Sequence, residues 1–81
     1  MDKTEILEKL TPIFRAIFGN NSLVLSDGLT ANDVDNWDSL THMLLITEIE
    51  NSFTIKFKLK DLNKMRNVGD MVETIISKLQ A

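Results

Sequence analysis

The sequence predicts an all-α domain with three main helices, one short helix and a long loop between the first two helices. Apolar residues recur three and four positions apart in three segments, which is the spacing of amphipathic helices. The one alternating segment, "FTIKF" at 53–57, is short and has no second strand to pair with. The 81 residues include no cysteine and one histidine, which excludes disulfides and argues against a structural zinc site. We therefore expect a single domain, residues 1–81, that depends on an apolar core.

The first helix is predicted over residues 2–18. Asp2 and Glu5 have the spacing of a capping box, and Gly19 is suited to the left-handed conformation that ends a helix. Pro12 has no N–H to donate, so we expect a kink or a restart of the helix there. The apolar positions are Ile6, Leu7, Leu10, Ile13, Phe14, Ile17 and Phe18.

A long segment without clear periodicity follows and ends at Asp38. Loops of this length are uncommon in small domains and usually serve a function. Its apolar residues suggest that it packs against the helices and is not disordered. These residues are Leu23, Val24, Leu25, Leu29 and Val34.

The second helix is predicted from about Ser39 to Ser52, with an N-cap oxygen from Asp38 or Ser39. Its apolar stripe is predicted to contain Leu40, Met43, Ile46 (or Leu44 and Leu45), Ile49 and Phe53.

Residues 53–57 are expected to be an extended connector to a brief helix at Leu59–Met65. That helix should bury Leu59, Leu62 and Met65. Asn67, with Asp70 three residues later, is predicted to cap the last helix. The apolar face of the last helix contains Val68, Met71, Val72, Ile75, Ile76 and Leu79.

The net charge of −3 conceals an uneven distribution. Six acids and no basic residue lie between Asp27 and Glu50, whereas the segment from Lys56 to Arg66 has five basic residues and only Asp61. These runs are either two solvated patches or an acidic docking face for a basic partner. Nucleic acid is disfavoured, because the acidic half would repel phosphate. No apolar run spans a bilayer and the N-terminus does not resemble a signal peptide, so we expect a cytoplasmic protein.

Intrinsic catalysis is poorly supported by the residues. Asp38, Ser39 and His42 contain the groups of a hydrolytic triad, but neighbours on one helical turn enclose no substrate, and no G-x-S-x-G elbow is present. We expect His42 to be a surface residue. Asp33 and Asp35 begin a calcium-loop pattern that Trp37 breaks, so no metal site is expected.

Two interpretations of Ser39 stay open on the residues alone. A hydroxyl at a helix N-terminus is accessible, and the partial positive charge there would stabilise a phosphate ester made by another enzyme. Alternatively, Ser39 is only a helix N-cap in a small helical protein-interaction module, with Leu44 exposed in a partner groove.

The segment "WDSLTHMLLITEIENSFTIKF" resembles the second-helix signature of acyl carrier proteins. The signature has a D-S-L triplet, apolar positions, and then a glutamate and a phenylalanine before an extended I-x-F. The closing "NVGDMVETI" is similar to the family's final helix. The resemblance covers essentially the whole chain.

The resemblance implies an up-down four-helix bundle with a short third helix, in a monomeric carrier that is not itself an enzyme. It implies that Ser39 carries 4′-phosphopantetheine, transferred from coenzyme A by a Mg²⁺-dependent phosphopantetheinyl transferase. An acyl- or aminoacyl-loading ligase or transferase would load the arm, and a downstream synthase or transferase would use it. Asp38 and Leu40 would flank the attachment point. Leu44, Thr47 and Glu48 would face partner enzymes.

Three departures from the fatty-acid members of the family favour a specialised pathway. Leu44 stands where those members commonly have an acid, and Lys56, Lys58 and Lys60 replace an acidic run. Trp37 before D-S-L is more typical of carriers of nonribosomal peptide, D-alanine or polysaccharide-type pathways. We therefore expect a carrier of one of these types, or of a polyketide pathway, and not of bulk fatty-acid synthesis.

Overall fold

A computed structural model describes residues 2–80, in which four α-helices occur and no residue lies in a β-strand. The helices are α1 (Lys3–Phe18), α2 (Ser39–Phe53), α3 (Leu59–Asn63) and α4 (Val68–Gln80), with a 3-10 turn at Ala31–Asp33. The predicted all-α class, the short third helix and the long first loop are confirmed. The third helix ends at Asn63, two residues before the predicted Met65.

Helix α1 begins and ends as the sequence predicts. The Asp2 carboxylate accepts from the Glu5 N–H at 2.9 Å, and the Glu5 side chain accepts from the Asp2 N–H at 3.2 Å. Gly19 ends the helix with φ of 63°. Pro12 lies inside one continuous helix, so the predicted restart at Pro12 is wrong. Tertiary packing of the apolar face outweighs the loss of one N–H donor.

The core lies between α1, α2 and α4. Each side chain of this size contributes roughly 2 kcal/mol when it leaves water. The buried residues of the core cluster are Ile6, Leu10, Phe14 and Phe18 of α1, Val34 of the loop, Leu45, Ile49 and Phe53 of α2, and Val68, Met71, Val72 and Ile75 of α4.

Several predicted core positions are exposed instead. Leu40 is 73% exposed and Met43 51% exposed, because the buried face of α2 runs through Leu45, Ile46, Ile49 and Phe53. Leu59 at the start of α3 is 75% exposed. In the first loop Val24 is 73% exposed, whereas the other predicted apolar contacts of the loop pack on the core.

The first loop is fastened to the start of α4. The Val68 N–H donates to the Leu29 carbonyl and the Gly69 N–H to the Asp27 carbonyl, both at 2.9 Å. The Asn67 side chain accepts from the Asp70 N–H at 2.8 Å, which confirms the predicted cap. The middle of the loop thus satisfies N–H groups that a helix start leaves without partners.

Helix α3 is joined to α4 by an ion pair. Asp61 Oδ2 lies 2.7 Å from Lys78 Nζ and accepts from the Lys58 N–H at 2.8 Å. The hydrogen bond from Lys78 holds the pKa of the Asp61 carboxyl below its ordinary value, and the bond from the Lys58 N–H adds to this. The one acid within the basic segment is therefore already paired.

Candidate functional site

The start of α2 is built by a reciprocal capping arrangement. Asp38 Oδ1 accepts from the Thr41 N–H at 2.9 Å, and Thr41 Oγ1 accepts from the Asp38 N–H at 2.8 Å. The Thr41 hydroxyl in turn donates to the Asn36 carbonyl at 2.7 Å. Asn36 has φ of 72°, a left-handed conformation that asparagine tolerates well. These bonds fix the direction in which the chain enters the helix.

Asp38 is the N-cap of α2, and Ser39 is the first residue of the helix. The interpretation of Ser39 as the N-cap is therefore wrong, because the Asp38 carboxylate already accepts the N–H that a cap would satisfy. Ser39 is exposed, and within residues 2–80 its hydroxyl has no hydrogen-bond partner. The arrangement presents a free hydroxyl at the positive end of a 15-residue helix.

Trp37 and His42 form a pair across this helix start. Trp37 Nε1–H donates to His42 Nδ1 at 3.1 Å, and the two rings stack with centroids 6.1 Å apart. The indole also packs on Phe14 and Phe18 of α1, each with ring centroids 5.5 Å away. His42 is half-buried: it lies at the surface, as predicted, but it is bonded to Trp37.

Burial lowers the pKa of His42 below its ordinary value of about 6.5. Because Nδ1 accepts the indole N–H, the neutral ring carries its proton on Nε2. The bond from the Thr41 N–H lowers the pKa of the Asp38 carboxyl. The first turn of α2 thus has an ionised cap and a neutral imidazole at neutral pH.

An open groove of about 540 Å³ lies beside Ser39. One wall is the first turn of α2, with His42 and Met43, and the opposite wall is Met65 and Arg66 from the segment between α3 and α4. Local sequence patterns did not predict that Arg66 would share a groove with Ser39, since the two residues are brought together by the packing of separate elements. The Trp37–His42 contact was missed too, because a five-residue spacing across a cap is not a helical pattern.

The side chains predicted to face partner enzymes are all exposed: Asp38, Leu40, Leu44, Thr47 and Glu48. Leu44, Thr47 and Glu48 also line a shallow groove of about 300 Å³ against Ile13 and Ile17 of α1. Exposure makes these side chains available for contact with another protein.

The fold and this sequence were compared with known proteins. The solution NMR structure of a holo acyl carrier protein from Geobacter metallireducens superposes on the chain with a TM-score of 0.86. The two sequences are 49% identical over 91% of this chain and 85% of that one. The chain belongs to the acyl carrier protein family. No protein-family model matches the sequence, and none of the curated proteins does.

Membership of the acyl carrier family confirms the resemblance and the helical-bundle fold that it implied. It also identifies the protein as a carrier and not an enzyme. The geometry agrees with this assignment, because Trp37 occupies the His42 Nδ1 lone pair and His42 does not bond the Ser39 hydroxyl. In the described part of the chain, no cluster of three or more potential metal ligands occurs, and no helix has the length and apolarity to cross a bilayer.

Proposed function

We propose that Ser39 is the attachment site of 4′-phosphopantetheine in this acyl carrier protein. The observation that carries the proposal is the division of roles at the start of α2, where Asp38 caps the helix and leaves the Ser39 hydroxyl exposed and unbonded. The structural neighbour is a holo carrier, which agrees with a prosthetic group in this fold.

The residues around Ser39 fit such a group. A phosphodiester on the hydroxyl would lie at the positive end of α2, where an anion is stabilised by the helix dipole. The adjacent groove of about 540 Å³ offers Met43 and Met65 as apolar walls for the arm. The prosthetic group, when bound, supplies a terminal thiol that holds acyl groups as thioesters, which the cysteine-free chain does not provide.

The partners we propose follow from this chemistry. A phosphopantetheinyl transferase would use coenzyme A to modify Ser39, a ligase or transferase would load an acyl or aminoacyl group, and a downstream synthase or transferase would take it. We propose that they contact Asp38, Leu40, Leu44, Thr47 and Glu48, and that residues 1–81 act as a single monomeric carrier domain in the cytoplasm.

We further propose a specialised biosynthetic pathway of nonribosomal peptide, polyketide, polysaccharide or D-alanine type. The exposed surface of α2 supports this, since Leu44 is 53% exposed at a position where the fatty-acid carriers commonly have an acid. Lys56, Lys58 and Lys60 are likewise exposed after α2.

The attachment site is tested by intact mass. Incubation of the protein with coenzyme A, Mg²⁺ and a promiscuous phosphopantetheinyl transferase should add one phosphopantetheine. Ser39→Ala should add none, and the matched control Ser52→Ala, an exposed serine in the last turn of α2, should be modified like the wild type. A wild-type protein that stays unmodified with several such transferases would refute the proposal.

A further inference from the structure

The Trp37–His42 pair lies on the same side of α2 as Ser39. His42 follows Ser39 by three residues, and side chains three apart on a helix are neighbours, with Cβ atoms about 5–6 Å apart. Both residues line the same groove. An anion attached to the Ser39 hydroxyl would therefore lie next to the imidazole.

His42 is held neutral in the unmodified protein by two features. It is half-buried, which disfavours the charged ring, and its Nδ1 accepts the Trp37 indole N–H at 3.1 Å. A proton on Nδ1 would end that bond, because the indole is a donor only. The His42 ring can therefore either accept the Trp37 N–H at Nδ1 or carry a positive charge, but it cannot do both.

The charged groups around His42 have opposite effects on the protonation of its ring. Of the charged groups that line the same groove, the Asp38 carboxylate would favour the imidazolium, and Arg66 and the positive end of α2 would disfavour it. From α1, the residues packed on Trp37 are Phe14 and Phe18, which do not titrate. A new negative charge on Ser39 would shift this balance toward the imidazolium.

We propose that His42 is the protonatable partner of the phosphodiester formed at Ser39, and that modification exchanges its bond to Trp37 for an ion pair with the phosphate. The proton comes from the solvent, and the freed indole N–H donates to water. His42 is then a positioning residue at the foot of the arm, and its charge distinguishes the modified carrier from the unmodified one. The inference rests on the attachment of the arm at Ser39.

The chain offers an unusually direct test, because it contains one histidine and one tryptophan. In a protein without a histidine tag, the proton NMR signal of the His42 ring reports its pKa, and the Trp37 indole N–H signal reports the hydrogen bond. Both are followed from pH 5 to 8.5 in the unmodified and modified proteins. Modification should raise the midpoint of the His42 titration by about one pH unit, as expected for a unit negative charge one helical turn away. The indole signal should move with the same midpoint.

Two variants separate this inference from the assignment of the attachment site. Ser39→Glu places a carboxylate near His42 without any prosthetic group and should raise the midpoint, whereas its neutral match Ser39→Gln should not. If mass spectrometry shows modification of the wild type and the His42 midpoint does not move, the inference is wrong and the attachment site stands. If the wild type is never modified, the attachment site is refuted. A comparison of Ser39→Glu with Ser39→Gln then shows whether the pKa of His42 responds to charge at residue 39. Equal His42 titration midpoints in the two variants would refute this coupling.

Discussion

At the scale of single residues, the first turn of α2 assigns the capping role to Asp38 and leaves the hydroxyl of Ser39 exposed. The Asp38 carboxylate and the Thr41 hydroxyl satisfy each other's backbone N–H groups at 2.9 and 2.8 Å. Ser39, between them, is left outside this exchange. The residue that we propose becomes an ester is therefore not required for the stability of the helix that presents it.

This separation predicts different effects for neighbouring substitutions. Asp38→Ala removes the N-cap and should lower the melting temperature by about 5 °C, whereas Asp38→Asn should retain most of the stability, because an amide oxygen also accepts. Ser39→Ala should change the free energy of unfolding by less than about 0.5 kcal/mol. Thermal melts followed by circular dichroism measure all three. If Ser39→Ala lowered the melting temperature as much as Asp38→Ala does, the serine would also cap the helix.

Residue-level prediction from the sequence succeeded where the physical cause is local. The caps at Asp2, Gly19 and Asn67 follow from side-chain oxygens and left-handed backbone within a few residues, so sequence patterns revealed them. The Trp37–His42 contact and the place of Arg66 in the groove depend on how separate elements pack. No local pattern contains that information.

At the scale of elements, the helices were predicted well and their buried faces less well. The predicted stripe of α2 is right at Ile46, Ile49 and Phe53, which are buried. It is wrong at Leu40 and Met43, which have the same helical spacing but are exposed, because α1 and α4 do not cover the first turn of α2. Leu59 is exposed at the first residue of the five-residue α3, which buries Asp61 in an ion pair with Lys78 of α4. Hydrophobic periodicity identifies a helix, and the neighbouring elements decide which residues it buries.

The junction between the first loop and α4 gives a prediction at this scale. A Cβ at Gly69 would lie 3.0 Å from the Asp27 carbonyl oxygen, which is the acceptor that fixes the loop, so Gly69→Ala must displace it. We expect a loss of about 1 kcal/mol in the free energy of unfolding, although alanine favours a helix. Gly28→Ala is the matched control, because a Cβ there meets nothing within 4 Å. Urea unfolding followed by Trp37 fluorescence measures the stability of both variants. If Gly69→Ala were as stable as Gly28→Ala, the junction between the loop and α4 would not be tight.

At the scale of the whole molecule, the basic run seen in the sequence is exposed to solvent. The basic residues at 56, 58, 60, 64 and 66 are all exposed, while Asp61 among them is buried and bonded to Lys78. The segment after α2 therefore presents an excess of positive charge to solvent, on a protein whose net charge is −3. Complementary charge governs encounter between proteins, so we propose that partners meet this basic segment through acidic docking faces.

The same charge distribution predicts how fast enzymes of fatty-acid synthesis would load this carrier. The carriers that those enzymes normally bind present an acidic surface. A malonyl transferase of that pathway should load the modified protein slowly, and Lys56→Glu should increase the initial rate severalfold by restoring an acid after α2. Lys56→Gln, which removes the positive charge without adding an acid, should give a smaller increase. The increase in loading rate caused by Lys56→Glu should be smaller at 1 M salt, where the Debye length falls to about 3 Å. Efficient loading of the wild type, with no gain in Lys56→Glu, would instead place this carrier in bulk fatty-acid synthesis.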